Sequence, residues 1–293
     1  MSRHKGEMRQ PSGDKAQSGI RTPSDNKSQR LLRLSTSLGS SWLQTLYGML
    51  AILLFWYIMH FAVGSAAIPA PHTAILHFFR IFPVELSRHL LVSLGRISVA
   101  LLVSLVLGGA IGLWMGVSER ADRWLSPVVY LLYPLPKIAF LPVLMILFGL
   151  GETSKIVLII IIIIFQILVA ARDGVREISK ELYYSVLSLG IGRSGLYRHL
   201  ILPATLPKIM TALRICVGVS ISILFFGENY ATTYGIGYFI MNSWLMADYV
   251  EMFSGILALS LMGFMLFKGI DLLEERWCRW TRLTRRLTEV HKQ

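Results

Sequence analysis

Six apolar stretches, each near the length of a bilayer-crossing helix, alternate with polar segments along the chain. A membrane helix needs about 20 mostly apolar residues. The pattern places such helices over about 44–63, 90–117, 125–149, 155–171, 209–230 and 252–272. The fourth is the most apolar: residues 156–169 hold one polar side chain, Gln166. The third is interrupted by Pro134, Pro136 and Pro142, with Lys137 beside them. Proline removes backbone hydrogen bonds, and such breaks survive at membrane depth only where protein or water satisfies the freed groups. The break therefore marks either the protein interior or a kink needed for packing. The fold class expected is all-α: a polytopic membrane protein with about six transmembrane helices and a cytoplasmic loop over 172–208. Residues 1–42 are polar, lack the apolar core of a cleavable leader, and read as a disordered cytoplasmic tail. Residues 273–293 form a basic tail, and 43–272 the membrane domain.

Composition supports lipid as the solvent. Of 293 residues, 54% are hydrophobic and 16% charged, against about 25% charged in soluble domains. The net charge of +12 would by itself suit nucleic acid, a membrane surface or an anionic substrate. Its distribution gives it a simpler cause. Eight Lys and Arg precede the first span, Arg120 and Arg123 separate spans two and three, six lie from Arg172 to Lys208, and six follow span six. The opposite connections hold only Arg80 and Arg88. Basic residues concentrate on the cytoplasmic side, so both termini are expected there, and no nucleic-acid partner is needed. Cys216 and Cys278 have neither metal-site nor redox-pair spacing, and the seven histidines are scattered. No metal or other cofactor is expected.

Span two carries small residues four apart: Ala100, Ser104, Gly108, Gly112 and Gly116. On a helix they form one ridge, and small residues let another backbone approach in lipid. Ser104, Gly108, Gly112 and Gly116 are therefore packing residues. Span four, apolar on all sides, is expected to face lipid or fill the bundle.

The loop 172–208 is too long for a plain connector. Ile178, Leu182, Ser185 and Leu189 share a helical face, and Gly190 stands where a helix C-terminus favours glycine. Ser194 can cap a second short helix containing Leu196, Tyr197 and Leu200, which Pro203 is expected to end before Pro207 opens span five. Two amphipathic helices on the cytoplasmic face can lie on headgroups, pack beneath the bundle, or dock a soluble partner.

Here the residues resemble a known family. Leu187-Ser-Leu-Gly190, followed by Leu200-Ile-Leu-Pro203, resembles the cytoplasmic signature of ABC importer permeases. Tyr184, Ser185 and Val186 stand at that signature's Glu-Ala-Ala positions, so the acidic residue is absent. His89-Leu-Leu-Val-Ser-Leu-Gly-Arg96, Pro134-Leu-Pro-Lys-Ile-Ala-Phe-Leu-Pro142, Phe148-Gly-Leu-Gly-Glu-Thr-Ser-Lys155 and Gly235-Ile-Gly-Tyr238 resemble the nitrate/sulfonate/taurine branch. The resemblance implies two permease copies forming a pathway. It implies an ATPase subunit dimer clasping Tyr184, Ser185, Val186, Leu189, Gly190, Leu200, Leu202 and Pro203, and a periplasmic solute-binding protein delivering substrate. The chain contains no Gly-Lys dipeptide and so no phosphate-cradling Walker A loop; ATP hydrolysis is expected on another chain, and this subunit is not expected to be an enzyme.

Ionisable residues within spans mark functional interiors by default. Arg96, Lys137, Glu228 and Asn229 are the candidates for the translocation pathway. Glu228 has a structural alternative, pairing with Lys137 or Arg96. Arg214 can snorkel to the cytoplasmic surface. An ATP-independent channel or secondary transporter would leave the signature from Gly190 to Pro203 without a purpose. A membrane enzyme would need paired ligands or a nucleophile elbow, which the spans lack.

Overall fold

The computed structural model describes residues 43, 46–278 and 280. The expected disordered tail over 1–42 and the end of the basic tail, 281–293, lie outside the described residues. Among the described residues there is helix and turn but no strand. The chain divides by its internal packing between Ile58 and Met59, inside the first helix α1, Leu46–Val63. The first unit contributes the apolar start of α1. The second holds every element that follows.

Among the described residues, five helices are long and apolar enough to cross a membrane: Leu46–Val63, Pro71–Val117, Glu152–Arg176, Ser194–Glu228 and Tyr249–Trp277. The pair Glu119–Leu132 and Lys137–Phe148 is apolar enough to make a sixth crossing only if taken as one span; it is bent by 83°, as in a broken span or a re-entrant loop. The broken pair is the proline-interrupted span. Its first half is α4, Glu119–Leu132, and α5, Leu141–Phe148, follows a short 3-10 turn at Lys137–Phe140. Pro136 has non-helical torsions (φ −72°, ψ 75°), so the chain turns where two prolines withhold N–H donors. Residues 133–136 are exposed in the single chain, not enclosed by it.

Two wide turns overturn one boundary expected from the apolar pattern and one expected from proline. The second long helix begins well before residue 90: α2, Pro71–Ile81, passes through a π-turn at Phe82–Leu86 into α3, Ser87–Val117. Likewise α8, Arg193–Leu196, runs through a π-turn at Tyr197–Ile201 into α9, Leu202–Glu228, and Pro203 does not end it. At the second turn the Leu202 N–H reaches back five residues to the Tyr197 carbonyl. The widened ladder gives Pro203 a position where no donor is missed and its ring has room. The Ser87 N–H bonds the Phe82 carbonyl in the same manner, accommodating Pro83.

The small-residue ridge of α3 packs on α6, Glu152–Arg176. A Cβ on Gly108 would stand 2.8 Å from the Ile164 carbonyl oxygen, one on Gly112 would overlap the Leu168 carbonyl, and one on Gly116 would meet Val175 at 2.5 Å. The partners advance along α6 as the glycines advance along α3, so the two helices run parallel, backbone against backbone. Of the two places expected for span four, it takes the second and fills the bundle. Ile159, Ile163 and Ile167 are buried at the centre of the core, between α3 and α9. Ser104 is buried on the same ridge.

Within the loop 172–208, α7 spans Lys180–Ser188. The Ser179 hydroxyl caps it by accepting from the Leu182 N–H at 3.3 Å, and Gly190 follows its end at φ +70°. The connection after α9 also holds a helix the apolar pattern did not reveal, α10, Ile236–Leu245. The last helix α11, Tyr249–Trp277, is capped by Asp248, which accepts from the Glu251 N–H at 3.0 Å. It runs past residue 272, where the tail was expected to begin.

Candidate functional site

The cytoplasmic segment is built on a small apolar cluster. Leu196, Leu200 and Ile201 are buried, and Ile178, Tyr183 and Val186 pack on them together with Leu113, Val117 and Val175. The inward face of α7 is thereby joined to the inner ends of α3 and α6 and to the start of the long α8–α9 helix. Its outward face leaves Tyr184 63% and Leu189 75% exposed, with Leu182 and Leu187 also open. The Ser185 hydroxyl donates to the Glu181 carbonyl at 2.8 Å and so serves its own helix. Gly190 is exposed, and among the described residues, its chain neighbours aside, nothing lies within 4 Å of where its Cβ would be. Leu202 is exposed and Pro203 half-buried.

One expectation for this segment is corrected. Leu200 was expected to offer its side chain to a partner, but it is 5% exposed. The π-turn rotates it inward, and it anchors α7 to the bundle. Leu187, exposed on the outward face, stood in the signature stretch but not among the residues expected to be clasped.

At the other end of the bundle, Arg96, Glu228 and Asn229 come together. Arg96 is 2% exposed and Glu228 fully buried. The Arg96 guanidinium pairs with Glu228 and, through two nitrogens, with the Glu152 carboxylate at the start of α6. Glu228 also accepts from the Ser93 hydroxyl and from the Gly237 N–H, both at 2.7 Å. Ser93 in turn accepts from the Ile236 N–H at 2.9 Å, and the Gly235 N–H donates to His89 Nδ1 at 3.0 Å. Asn229, with its amide oriented to satisfy both contacts, donates to the Phe225 carbonyl at 3.2 Å and the Gly237 carbonyl at 3.3 Å.

This knot explains the Gly235-Ile-Gly-Tyr segment. A Cβ on Gly235 would sit 2.6 Å from the Glu228 carboxylate oxygens, and one on Gly237 would sit 2.9 Å from the Phe225 carbonyl. Tyr238 stacks on His89, with ring planes 18° apart. Lys155, 2% exposed, donates to the Ala231 carbonyl at 3.2 Å beside the same acids. Two cations and two carboxylates balance, and they tie the outer ends of α3, α6 and α9 to the turn before α10. A buried cluster with balanced charge and satisfied hydrogen bonds is a clamp. Sequence reasoning missed Glu152 and Lys155 as members, although both lie in the Phe148–Lys155 motif.

Lys137 does not join this cluster. Its Nζ donates to the Tyr133 carbonyl at 2.8 Å and stands 4.9 Å from the Phe165 ring centroid. Arg214 ties α9 to α11 through Asp271 at 2.6 Å and Glu274 at 2.8 Å. Among the described residues no group of three or more His, Cys, Asp or Glu side chains converges to hold a metal.

Comparison with known proteins places this architecture. The family model described as "Binding-protein-dependent transport system inner membrane component" matches residues 104–277. The taurine transport system permease protein of Escherichia coli is 36% identical over 195 residues, covering 66% of this chain and 70% of that protein. The formylaminopyrimidine transport permease protein of Halalkalibacterium halodurans is 28% identical, covering 79% of this chain and 93% of its own length. A solved bacterial ABC transporter for alginate import shares the fold. Its TM-score is 0.56 at 18% identity, over 83% of this chain and 99% of that one. The motifs at 89–96, 148–155 and 235–238 meet in the clamp, those at 187–190 and 200–203 form the α7 segment and its junction with α9, and the chain belongs to the binding-protein-dependent inner membrane components, the permeases of ABC importers, in their nitrate/sulfonate/taurine branch.

Proposed function

We propose that two copies of this chain form the pathway of an inner-membrane importer for a small solute bearing an anionic group. ATP hydrolysis on a separate ATPase dimer drives it, and a periplasmic binding protein delivers the solute. The ATPase clasps the outward face of α7 around Tyr184, Leu187, Leu189 and Gly190. The observation that carries this reading is the two-sidedness of α7. One face exposes large apolar side chains. The other is pinned to the inner ends of α3, α6 and α9. A push on α7 is thereby delivered to the bundle, the arrangement a lever requires. Mild-detergent purification of the chain from its host should bring down an ATPase subunit. Recovery of the intact permease without one would refute the assignment.

The orientation follows from the basic loops: both termini and α7 lie in the cytoplasm, and α10 and Asp248 lie outside. Asp248 is exposed, while Cys216 and Cys278 are both buried. An Asp248→Cys variant should therefore react with a membrane-impermeant maleimide added to spheroplasts. Reaction only after the membrane is opened would reverse the topology.

A further inference from the structure

Five cations fall within or at the edges of the spans: Arg96, Lys137, Lys155, Arg214 and Lys268. Arg96 and Lys155 belong to the balanced outer clamp, and Arg214 is paired with two acids on α11. Lys268 is exposed near the cytoplasmic end of α11. Lys137 is different. Like Lys155 and Lys268 it is in no ion pair among the described residues, but unlike them it stands at the break between α4 and α5. An ammonium at membrane depth that has only the Tyr133 carbonyl and a ring face for partners keeps donors that water or a mobile anion can answer.

Its surroundings are shaped for the second. Lys137 lines a cleft of about 280 Å³ with Tyr133, Ile162, Phe165, Gln166 and Ile223. Ile162, Phe165 and Gln166 flank the midpoint of α6, so the cleft lies near mid-span. Gln166 Oε1 accepts from Cys216 Sγ at 3.2 Å, which leaves the amide N–H donors of Gln166 without a partner among the described residues. One wall thus offers an ammonium, the facing wall offers amide donors, and the rest is aromatic and aliphatic. Few precisely placed polar groups in an apolar cleft are what orient a small ligand. The prolines give the site its form: a continuous helix would carry Lys137 along its own axis, whereas the break starts a new turn there.

We infer that the Lys137–Gln166 cleft is a resting site for a small oxyanion, a sulfonate or nitrate-like group, on its way across the membrane. The inference rests on the importer reading above. The clamp residues Arg96 and Glu228 take no part in it, because their charges already neutralise each other.

The test is uptake by the complete complex of permease, ATPase and binding protein in proteoliposomes. The probes are nitrate, ethanesulfonate, taurine and a formylaminopyrimidine, which carries no anionic group. One anion should enter with the unsubstituted complex, and Lys137→Met should slow it at least about tenfold, the scale of one lost charge contact in a partly screened site. Lys137→Arg, which keeps the charge, should restore most of the rate. Gln166→Leu should also slow the anion, which keeps the question open to test should Lys137→Met fail to assemble with the ATPase. Wild-type anion uptake by an assembled Lys137→Met or Gln166→Leu complex would overturn the inference, as would import of the pyrimidine alone. Import of no probe by the unsubstituted complex, across binding proteins for each, would count against the importer reading, and this inference would fall with it.

Discussion

Arg96→Met should strip the bundle of its outer clamp and lower the thermal midpoint of the purified permease by about 10 °C or more, given roughly 2–4 °C per kcal/mol for a chain of this size. The substitution leaves Glu228, fully buried, with only the Ser93 hydroxyl and the Gly237 N–H as partners. Breaking a buried pair from one side costs about 3–5 kcal/mol, because an uncompensated charge remains. That is a large share of the 5–15 kcal/mol that holds a typical domain folded. The order of effects is diagnostic. Glu152→Gln should be mildest, since the Glu152 side chain is 58% exposed and water can replace it. Glu228→Gln should be intermediate, since Arg96 keeps its two contacts to Glu152. The double variant Arg96→Met with Glu228→Leu should be more stable than Arg96→Met alone, since no buried charge is left over. Midpoints measured on detergent-purified permease check the series. An Arg96→Met protein as stable as the parent, or a double variant worse than the single, would contradict the clamp.

The clamp also shows what the sequence discloses and what it withholds. Apolar run length and the placement of Lys and Arg are set by the bilayer itself, residue by residue, so the spans could be read directly. The glycine ridge of α3 was legible for a similar reason, because four-residue spacing is a property of the helix and not of its partner. Its partner, α6, was not legible: a run of isoleucines looks the same whether it meets lipid or protein, and only the Ile164 and Leu168 carbonyls opposite Gly108 and Gly112 decide the matter. Proline misled once. Pro203 reads as a helix end, yet the π-turn beside it absorbs the missing donor, and a π-turn has no sequence signature comparable to that of a cap. The same turn put Leu200 on the inner face. Glu228 was visible as an anomaly, but its choice of Arg96 over Lys137 depends on how α3 and α9 cross, which no local pattern encodes. The acid at residue 152 and the base at residue 96 were both in view within motifs; that they meet across α3 and α6 emerges only from the seam.

Gly190→Asp should separate the fold of this chain from its work. At φ +70° the position lies in the left-handed region, where Asp is tolerated better than most residues and the strain is about 1 kcal/mol. Among the described residues, its chain neighbours aside, no atom lies within 4 Å of the new Cβ. The isolated permease should therefore insert and fold. Leu200, Leu196 and Ile201 keep α7 in place from beneath. If an ATPase encloses the outward face of α7, the same carboxylate becomes a buried charge with no partner, a penalty of about 3–5 kcal/mol. At about 1.4 kcal/mol per decade, that weakens association more than a hundredfold. Gly190→Asn, close in shape and equal in backbone preference but uncharged, should lose far less. The binding protein should dock on both variants, since its surface is on the opposite side of the membrane.

The measurement that bears most directly on this account is ATP-driven solute uptake by the reconstituted complex, with hydrolysis and uptake recorded together for the unsubstituted chain, Gly190→Asn and Gly190→Asp. The account predicts that binding-protein-stimulated hydrolysis and uptake are present in the first, reduced in the second, and lost together in the third, with the Gly190→Asp permease still folded in the bilayer. Uptake that proceeds without ATP, or a Gly190→Asp complex that keeps both activities and its ATPase, would contradict it.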